Sequence, residues 1–208
     1  MSTVERLAVA AFDVDKTLTT RDSVVPFLLV VRSRSLRRML GSLRPLIAAG
    51  VRRDRDRVKV LVSEVAFAGR RLADIQPLAT RHAERIYRRW LRADTVGRLR
   101  WHREAGHRVV LVSASYELYL DRLGELLGVD AVLGTRLIER DGTLTGDLDG
   151  PNCRGPHKVD RLHAWLADEM GGRECVEVWA YGDSAGDREL LADADHAQLV
   201  AGPIARIP

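Results

Sequence analysis

Phe12-Asp13-Val14-Asp15-Lys16-Thr17-Leu18-Thr19 follows directly on the apolar run Leu7-Ala8-Val9-Ala10-Ala11. The run does not alternate apolar with polar residues, so it reads as a strand buried on both faces. It ends in two carboxylates one residue apart, followed by a threonine. Like charges a few ångströms apart raise one another's pKa, so a cation is expected between them. A magnesium-assisted phosphoryl-transfer site needs such a pair.

Outward from this stretch, Arg108-Val109-Val110-Leu111-Val112 and Cys175 to Tyr181 read as further buried strands, and Ala197-Gln198-Leu199-Val200 as a fourth candidate. Helical spacing lies between them. Leu120, Leu123 and Leu127 mark a helix over Tyr116 to Leu127. Leu162, Trp165, Leu166 and Met170 mark one over Val159 to Met170, and Ser184 to Asp193 opens another. Strands alternating with helices imply an α/β fold with a doubly wound, Rossmann-like parallel sheet. Residues 135–149 read as a β-hairpin turning at Asp141-Gly142.

Residues 21–92 differ. They show helical periodicity (Val58, Leu61, Val62, Val65; then Ile75, Leu78, His82, Ile86, Trp90) punctuated at Gly41, Pro45, Gly50, Gly69 and Pro77. The expected organisation is a discontinuous core, residues 1–20 plus 93–208, with 21–92 inserted as a small helical-bundle cap. Charge segregates along the same line. The inserted block holds 18 Lys+Arg against 6 Asp+Glu, and the remainder 15 against 23, within a net +4. Its arginines (Arg32, Arg34, Arg37, Arg38, Arg44, Arg52, Arg53, Arg55, Arg57) fit a solvated basic face, peripheral contact with anionic lipid head groups, or steering of a multiply phosphorylated substrate. No aromatic interleaving or binding motif supports nucleic acid as a partner.

The chain of 208 residues is 46% hydrophobic and 30% charged, a soluble globular composition. Its longest dense apolar run, Val24 to Val31, is far short of the roughly 20 residues a membrane span needs. No signal peptide is apparent, and two cysteines without metal-ligand spacing suggest a reducing cytoplasm.

Four sets of polar residues fall where strands end or helices begin, the place where open parallel sheets bind ligands. They are Asp13 with Asp15, Ser113, Lys158, and Gly182-Asp183-Ser184-Ala185-Gly186-Asp187. Together they can perform one job. A divalent cation held by Asp13, Asp15 and Asp183 would offset repulsion between carboxylate and phosphate, and hard oxygen ligands favour Mg2+. Lys158 and the Ser113 hydroxyl would bind the phosphate oxygens. Asp13 would attack phosphorus, and Asp15 would protonate the leaving alcohol and then activate water. Simpler uses compete: Asp183 can cap the following helix, Asp22 can cap the helix at Val24, and Lys16 can be an exposed residue of no consequence. The six histidines show no metal-ligand pattern.

Asp13-Val14-Asp15-Lys16-Thr17, Ser113-Ala114-Ser115, Lys158 and Gly182 to Asp187, in this order, resemble the four motifs of haloacid-dehalogenase-like phosphatases. The helical insertion after the first motif resembles the phosphoserine-phosphatase-like branch. Phe12 to Phe27 and Gly150-Pro151-Asn152-Cys153 are similar to bacterial hydrolases related to a phosphatidylglycerophosphate phosphatase. The resemblance implies Asp13 as nucleophile, Asp15 as general acid/base, Ser113 and Lys158 as the phosphate-binding pair, Asp183 as metal-binding acid and Asp187 as its support. Asp22 falls where phosphoserine phosphatases carry a glutamate that meets the substrate's amino group. Its shorter side chain, and Gly186 in place of an asparagine, depart from that pattern. Lys16 stands where a smaller residue is more common. The expected function is Mg2+-dependent hydrolysis of a phosphomonoester through an aspartyl-phosphate, on a small phosphometabolite or a phospholipid-type phosphate, in the cytoplasm, with a location peripheral to the membrane as the other option. A phosphotransferase using the same intermediate and a non-catalytic phospho-ligand-binding protein are the alternatives.

Overall fold

The computed structural model describes residues 7–31 and 55–204. Five parallel strands form the central sheet: β1 (Leu7–Phe12), β3 (Arg108–Tyr116), β4 (Ala131–Thr135), β7 (Val176–Gly182) and β8 (His196–Leu199), in the order β4-β3-β1-β7-β8. The strand that carries the paired aspartates is therefore central. Phe12 pairs with Leu111 on one side and Tyr181 on the other. β1 explains its lack of alternation by burying both faces. Val9 and Ala11 join a core with Val110, Val112, Val178 and Ala180, covered by Leu162 and Leu166 of α6 (Pro156–Met170) and Leu190 of α7 (Arg188–Asp193). Ala10 and Phe12 join the opposite core with Val109 and Leu111, covered by Leu99 of α4 (Ala93–Glu104) and Leu120 and Leu123 of α5 (Glu117–Leu127). No helix among the described residues is long and apolar enough to cross a membrane.

The inserted segment leaves and rejoins the sheet at one point. Thr19 bridges Leu91, the Thr20 N–H donates to the Trp90 carbonyl (2.7 Å), and the Arg92 N–H donates to the Leu18 carbonyl (2.9 Å). Between these ends lie α1 (Val24–Val31), α2 (Arg55–Phe67), the short β2 (Arg70–Arg71) and α3 (Leu72–Arg89). Arg32, Arg34, Arg37, Arg38, Arg44, Arg52 and Arg53, on which most of the basic-face reading rests, lie outside the described residues.

Among the described residues these helices share one core with the sheet. Phe27, Phe67, Ile75, Ile86 and Trp90 belong to the same apolar cluster as Phe12, Leu111 and Tyr116 of the sheet. On α3 the buried stripe is Ile75, Ala79, His82, Ala83 and Ile86, as the spacing suggests, and the helix continues through Pro77. On α2 the expected stripe is displaced. Val58, Leu61, Val62 and Val65 are only half-buried, and Lys59, Ser63, Ala66 and Phe67 face inward. The reason is a polar seam. Ser63 Oγ and the Tyr116 hydroxyl are hydrogen-bonded at 2.8 Å, and Lys59 Nζ donates to the Ala114 carbonyl.

The expected hairpin is present as β5 (Leu137–Arg140) and β6 (Thr143–Leu148), with Asp141 and Gly142 both at positive φ, the conformation that a tight right-twisted hairpin turn requires. It also pairs with the inserted segment, because β2 lies antiparallel to β6. Gly146 (φ +92°) makes the docking possible: a Cβ there would stand 2.9 Å from the Glu64 Cα and 3.1 Å from the Ala68 nitrogen. Two elements are unmarked in sequence. In α4 the buried positions are Thr95, Val96, Leu99 and His102, so polar residues break the apolar stripe. The short β4 runs almost directly into the hairpin.

Gly146→Ala should destabilise the protein by about 1–3 kcal/mol in chemical denaturation, from the strained φ and the backbone clash together. His102, fully buried on α4 between the Tyr181 hydroxyl (2.9 Å) and His107 Nδ1 (2.8 Å), has its pKa pulled down to about 3 by burial, assisted by His107 and Arg98. The unfolded chain takes up a proton near pH 6.5 that the folded chain refuses. Stability should therefore fall as pH drops from about 6.5 towards 3. His102→Gln should flatten that fall in denaturation midpoints measured across the range.

Candidate active site

At the carboxyl ends of β1, β3 and β7 the three strands open into a cavity of about 310 Å³ whose wall includes Asp13, Asp15, Ser113, Lys158, Asp183 and Asp187. All six residues read from the sequence as catalytic, phosphate-binding or metal-linked thus meet at one rim of the sheet, and Asp22 lines the same cavity.

The centre is Lys158, in the first turn of α6 and 2% exposed. Its ammonium donates to Asp13 Oδ1 at 2.6 Å and to Asp187 Oδ1 at 2.5 Å. Burial alone would lower the lysine's pKa. The two carboxylates outweigh it and hold the proton well above the ordinary value. Burial raises the pKa of Asp13, Lys158 opposes the rise and Asp187 adds to it.

Asp187 organises the last loop. Its Oδ2 accepts from the Asp183 N–H (3.2 Å), the Ser184 N–H (3.0 Å) and the Ser184 hydroxyl (3.0 Å). Residues 184–187 form a turn, so α7 begins at Arg188 and Asp187, not Asp183, stands at its N-cap position. Gly182 is needed for this packing. A Cβ there would fall less than 2.5 Å from the Asp187 Cβ and 2.7 Å from its Cγ.

Asp13, Asp183 and Asp187 each offer a carboxylate oxygen within 4.8 Å of the others. Hard oxygen donors this close suit a small divalent cation. Asp187 spends both oxygens on Lys158 and the loop, and Asp13 meets Lys158 through Oδ1 while its Oδ2 accepts the Thr17 hydroxyl at 3.2 Å. Asp15, read from the sequence as a third metal ligand, has its carboxylate outside this cluster. It turns towards the inserted segment, where Oδ1 accepts the Ser23 N–H and Oδ2 the Ser115 hydroxyl, each at 2.9 Å. Burial lifts its pKa to about 6, against the pull of those hydrogen bonds. Its location beside the entering segment, away from the lysine, suits an acid that meets the leaving group.

Ser113 is 1% exposed, and its hydroxyl accepts the Ser115 N–H at 3.3 Å. Asp22 accepts the Val25 N–H at 2.9 Å and so caps the start of α1. Lys16 is exposed, occupies the left-handed region (φ +64°) and is one of the charges that lower the pKa of Asp183, which burial and Asp187 raise. Gly186 leaves room for Arg154, whose Nε would lie 3.1 Å from a Cβ at that position. Lys59 and Arg154 line the cavity, and the sequence reading assigns neither. Lys59 has one signal in sequence, a lone cation inside the apolar run of α2.

Residues 10–192 match the family model of haloacid dehalogenase-like hydrolases. The chain belongs to this family. It is 38% identical over 189 residues to Protein CicA of Caulobacter vibrioides, covering 89% of this chain and 82% of that one. It is 34% identical over 115 residues to a phosphoserine phosphatase of Archaeoglobus fulgidus, covering 53% of this chain and 32% of the other. A crystal structure of a protein of unknown function from Bordetella pertussis Tohama I shares the fold, with a TM-score of 0.77 and 24% identity over 90% of this chain and 87% of that one. The haloacid dehalogenase-like fold, its order of polar residues and its phosphatase relatives mark the chain as a phosphoric monoester hydrolase.

Gly182→Ala should displace Asp187, which four hydrogen bonds fix in place, and cost about 2–3 kcal/mol in urea unfolding.

Proposed function

We propose that this phosphatase hydrolyses a phosphorylated small molecule through an aspartyl-phosphate on Asp13, with Mg2+ as its metal. The supporting observation is the buried Asp13–Lys158–Asp187 arrangement, set against Asp183 on one side and Asp15 on the other. Mg2+ held by Asp13 and Asp183 would offset negative charge as nucleophile and phosphate approach.

The chain's own residues account for the proton and bond changes. An Asp13 carboxylate oxygen bonds to phosphorus as the bond from phosphorus to the ester oxygen breaks. Asp15 gives its proton to that departing oxygen. Water then loses a proton to the Asp15 carboxylate and attacks phosphorus. The bond to Asp13 breaks, orthophosphate leaves, and both aspartates return to their starting states. A pKa of about 6 suits Asp15 to both roles near neutral pH. Lys158 has a third proton to offer a phosphate oxygen, and the Ser113 hydroxyl and neighbouring N–H groups supply further donors. Two features argue against phosphoserine as the substrate. Asp22, in the place of an amine-binding acid, is engaged at the start of α1, and Arg154 overlies Gly186 where an amide would stand.

The purified protein with Mg2+ should release phosphate from p-nitrophenyl phosphate. A chelator should abolish release reversibly, and Asp13→Asn should lower kcat by at least about a thousandfold. Mg2+ should raise the Tm of the wild type and fail to raise that of Asp183→Asn. A folded, metal-supplemented protein that cleaves no phosphoester would refute the proposal.

A further inference from the structure

Arg154 lines the cavity, yet among the described residues its guanidinium donates no hydrogen bond and forms no ion pair. Its backbone is fixed on both sides. The Cys153 N–H donates to Thr135 Oγ1 at 3.2 Å, the Arg154 N–H to the Asn152 carbonyl at 2.7 Å, and the Gly155 N–H to the Gly186 carbonyl at 2.9 Å. The last bond ties the segment before α6 to the loop that carries Asp183 and Asp187. The arginine side chain lies along that loop. A Cβ on Gly186 would stand 3.1 Å from the Arg154 Nε, 3.3 Å from its Cγ and 3.4 Å from its Cζ. Gly186 is buried while its neighbours Ser184 and Ala185 are exposed, as expected of a residue that the arginine covers. A guanidinium held this way, with its donors unspent, is preorganised for an anion.

The charge at this rim is one-sided. Asp13, Asp183 and Asp187 set three carboxylates against the single ammonium of Lys158. A divalent cation would balance that excess, but a phosphate dianion would then arrive with its own charge unmatched. Lys158 already gives two of its three protons to Asp13 and Asp187. Of the other cations in the cavity, Lys59 donates to the Ala114 carbonyl, Lys16 acts on Asp183, and Arg55 belongs to the inserted α2. Arg154 precedes Lys158 by four residues, so both enter from the start of α6, the lysine buried and the arginine partly exposed.

We propose that Arg154 is a further catalytic residue, whose guanidinium donates to non-bridging oxygens of the phosphoryl group. This rests on the hydrolase reading above and adds a second cation to the phosphoryl site. Those oxygens are common to the ester, the aspartyl-phosphate and orthophosphate, and they keep their bonds to phosphorus throughout. The arginine therefore serves both steps, transfers no proton and is indifferent to the alcohol. Gly186 is its complement, because a side chain there would press on the arginine.

The test uses the full chain with Mg2+. Calorimetry should show Arg154→Met weakening the binding of orthophosphate by about tenfold or more, the loss expected of a charge-assisted hydrogen bond. Arg154→Lys should recover part of it, since lysine keeps the charge but not the planar fork. In Arg154→Met, kcat/KM should fall by the same factor for p-nitrophenyl phosphate and for an alkyl phosphate that the wild type cleaves. The Tm should stay at the wild-type value, because no partner within the fold is lost. Gly186→Ala should also weaken orthophosphate binding, but add little in the Arg154→Met background, since one contact can be lost only once. An equal effect of Gly186→Ala in both backgrounds would overturn the proposal. So would an unchanged orthophosphate affinity in Arg154→Met, or orthophosphate binding too weak to measure in the wild type. A loss of turnover confined to one of the two esters would overturn it as well, because Arg154 would then meet the alcohol. If no phosphoester is cleaved, the hydrolase reading fails separately, and the orthophosphate measurement still decides the role of Arg154.

Discussion

A single ammonium, buried between two carboxylates, ties together the parts of the chain that make the site. Lys158 joins the end of β1 through Asp13 to the loop after β7 through Asp187. Removing any one partner from such a buried group leaves an uncompensated charge, which is far more costly than the pair is stabilising. The backbone around it is adapted to this constraint. Gly182 lets Asp187 pack against the end of β7, and Asp187 uses its second oxygen to hold the turn that carries Asp183.

The opposite side of the cavity follows a different principle. Asp15 is linked by hydrogen bonds to Ser23 at the start of the inserted segment and to Ser115 on β3. Ser23 in turn bonds the Tyr119 hydroxyl at 2.8 Å, and its carbonyl accepts from His82 Nε2 at 2.9 Å. A carbonyl can only accept, so His82 carries its proton on Nε2, and burial lowers its pKa and favours the neutral ring. The Asp15 carboxylate is therefore fixed through a polar network that reaches into α3 and α5. The inserted helices share an apolar core with the sheet, so their position and that of Asp15 are coupled. Two carboxylates one residue apart acquire separate environments because one faces a lysine and the other faces hydroxyl and amide donors.

The sheet strands were legible because burial on both faces leaves an unbroken apolar run, as in Leu7–Phe12 and Val109–Val112. Helices α3, α5 and α6 were legible because each has one apolar face. Helix α4 was not, since Thr95 and His102 occupy buried positions and find hydrogen-bonding neighbours there. Helix α2 was legible as a helix but not in its orientation. Its valines suggested the buried face, whereas the tertiary contacts turn Lys59 and Ser63 inward towards Ala114 and Tyr116. Asp15 was legible as an acid at the end of a buried strand, and its separation from the Asp13, Asp183 and Asp187 carboxylates was not. That depends on Ser23 and Ser115, which lie 8 and 100 residues away.

Local order along the chain determined that acids, a serine and a lysine would stand at the ends of buried strands and the start of a helix, because periodicity and strand termination are properties of neighbouring residues. It thereby determined the fold class and the type of chemistry. Only tertiary structure decided which carboxylate pairs with the lysine and which turns towards the inserted helices. Those outcomes depend on distances of a few ångströms between residues far apart in sequence, where desolvation and charge pairing, not periodicity, set the arrangement.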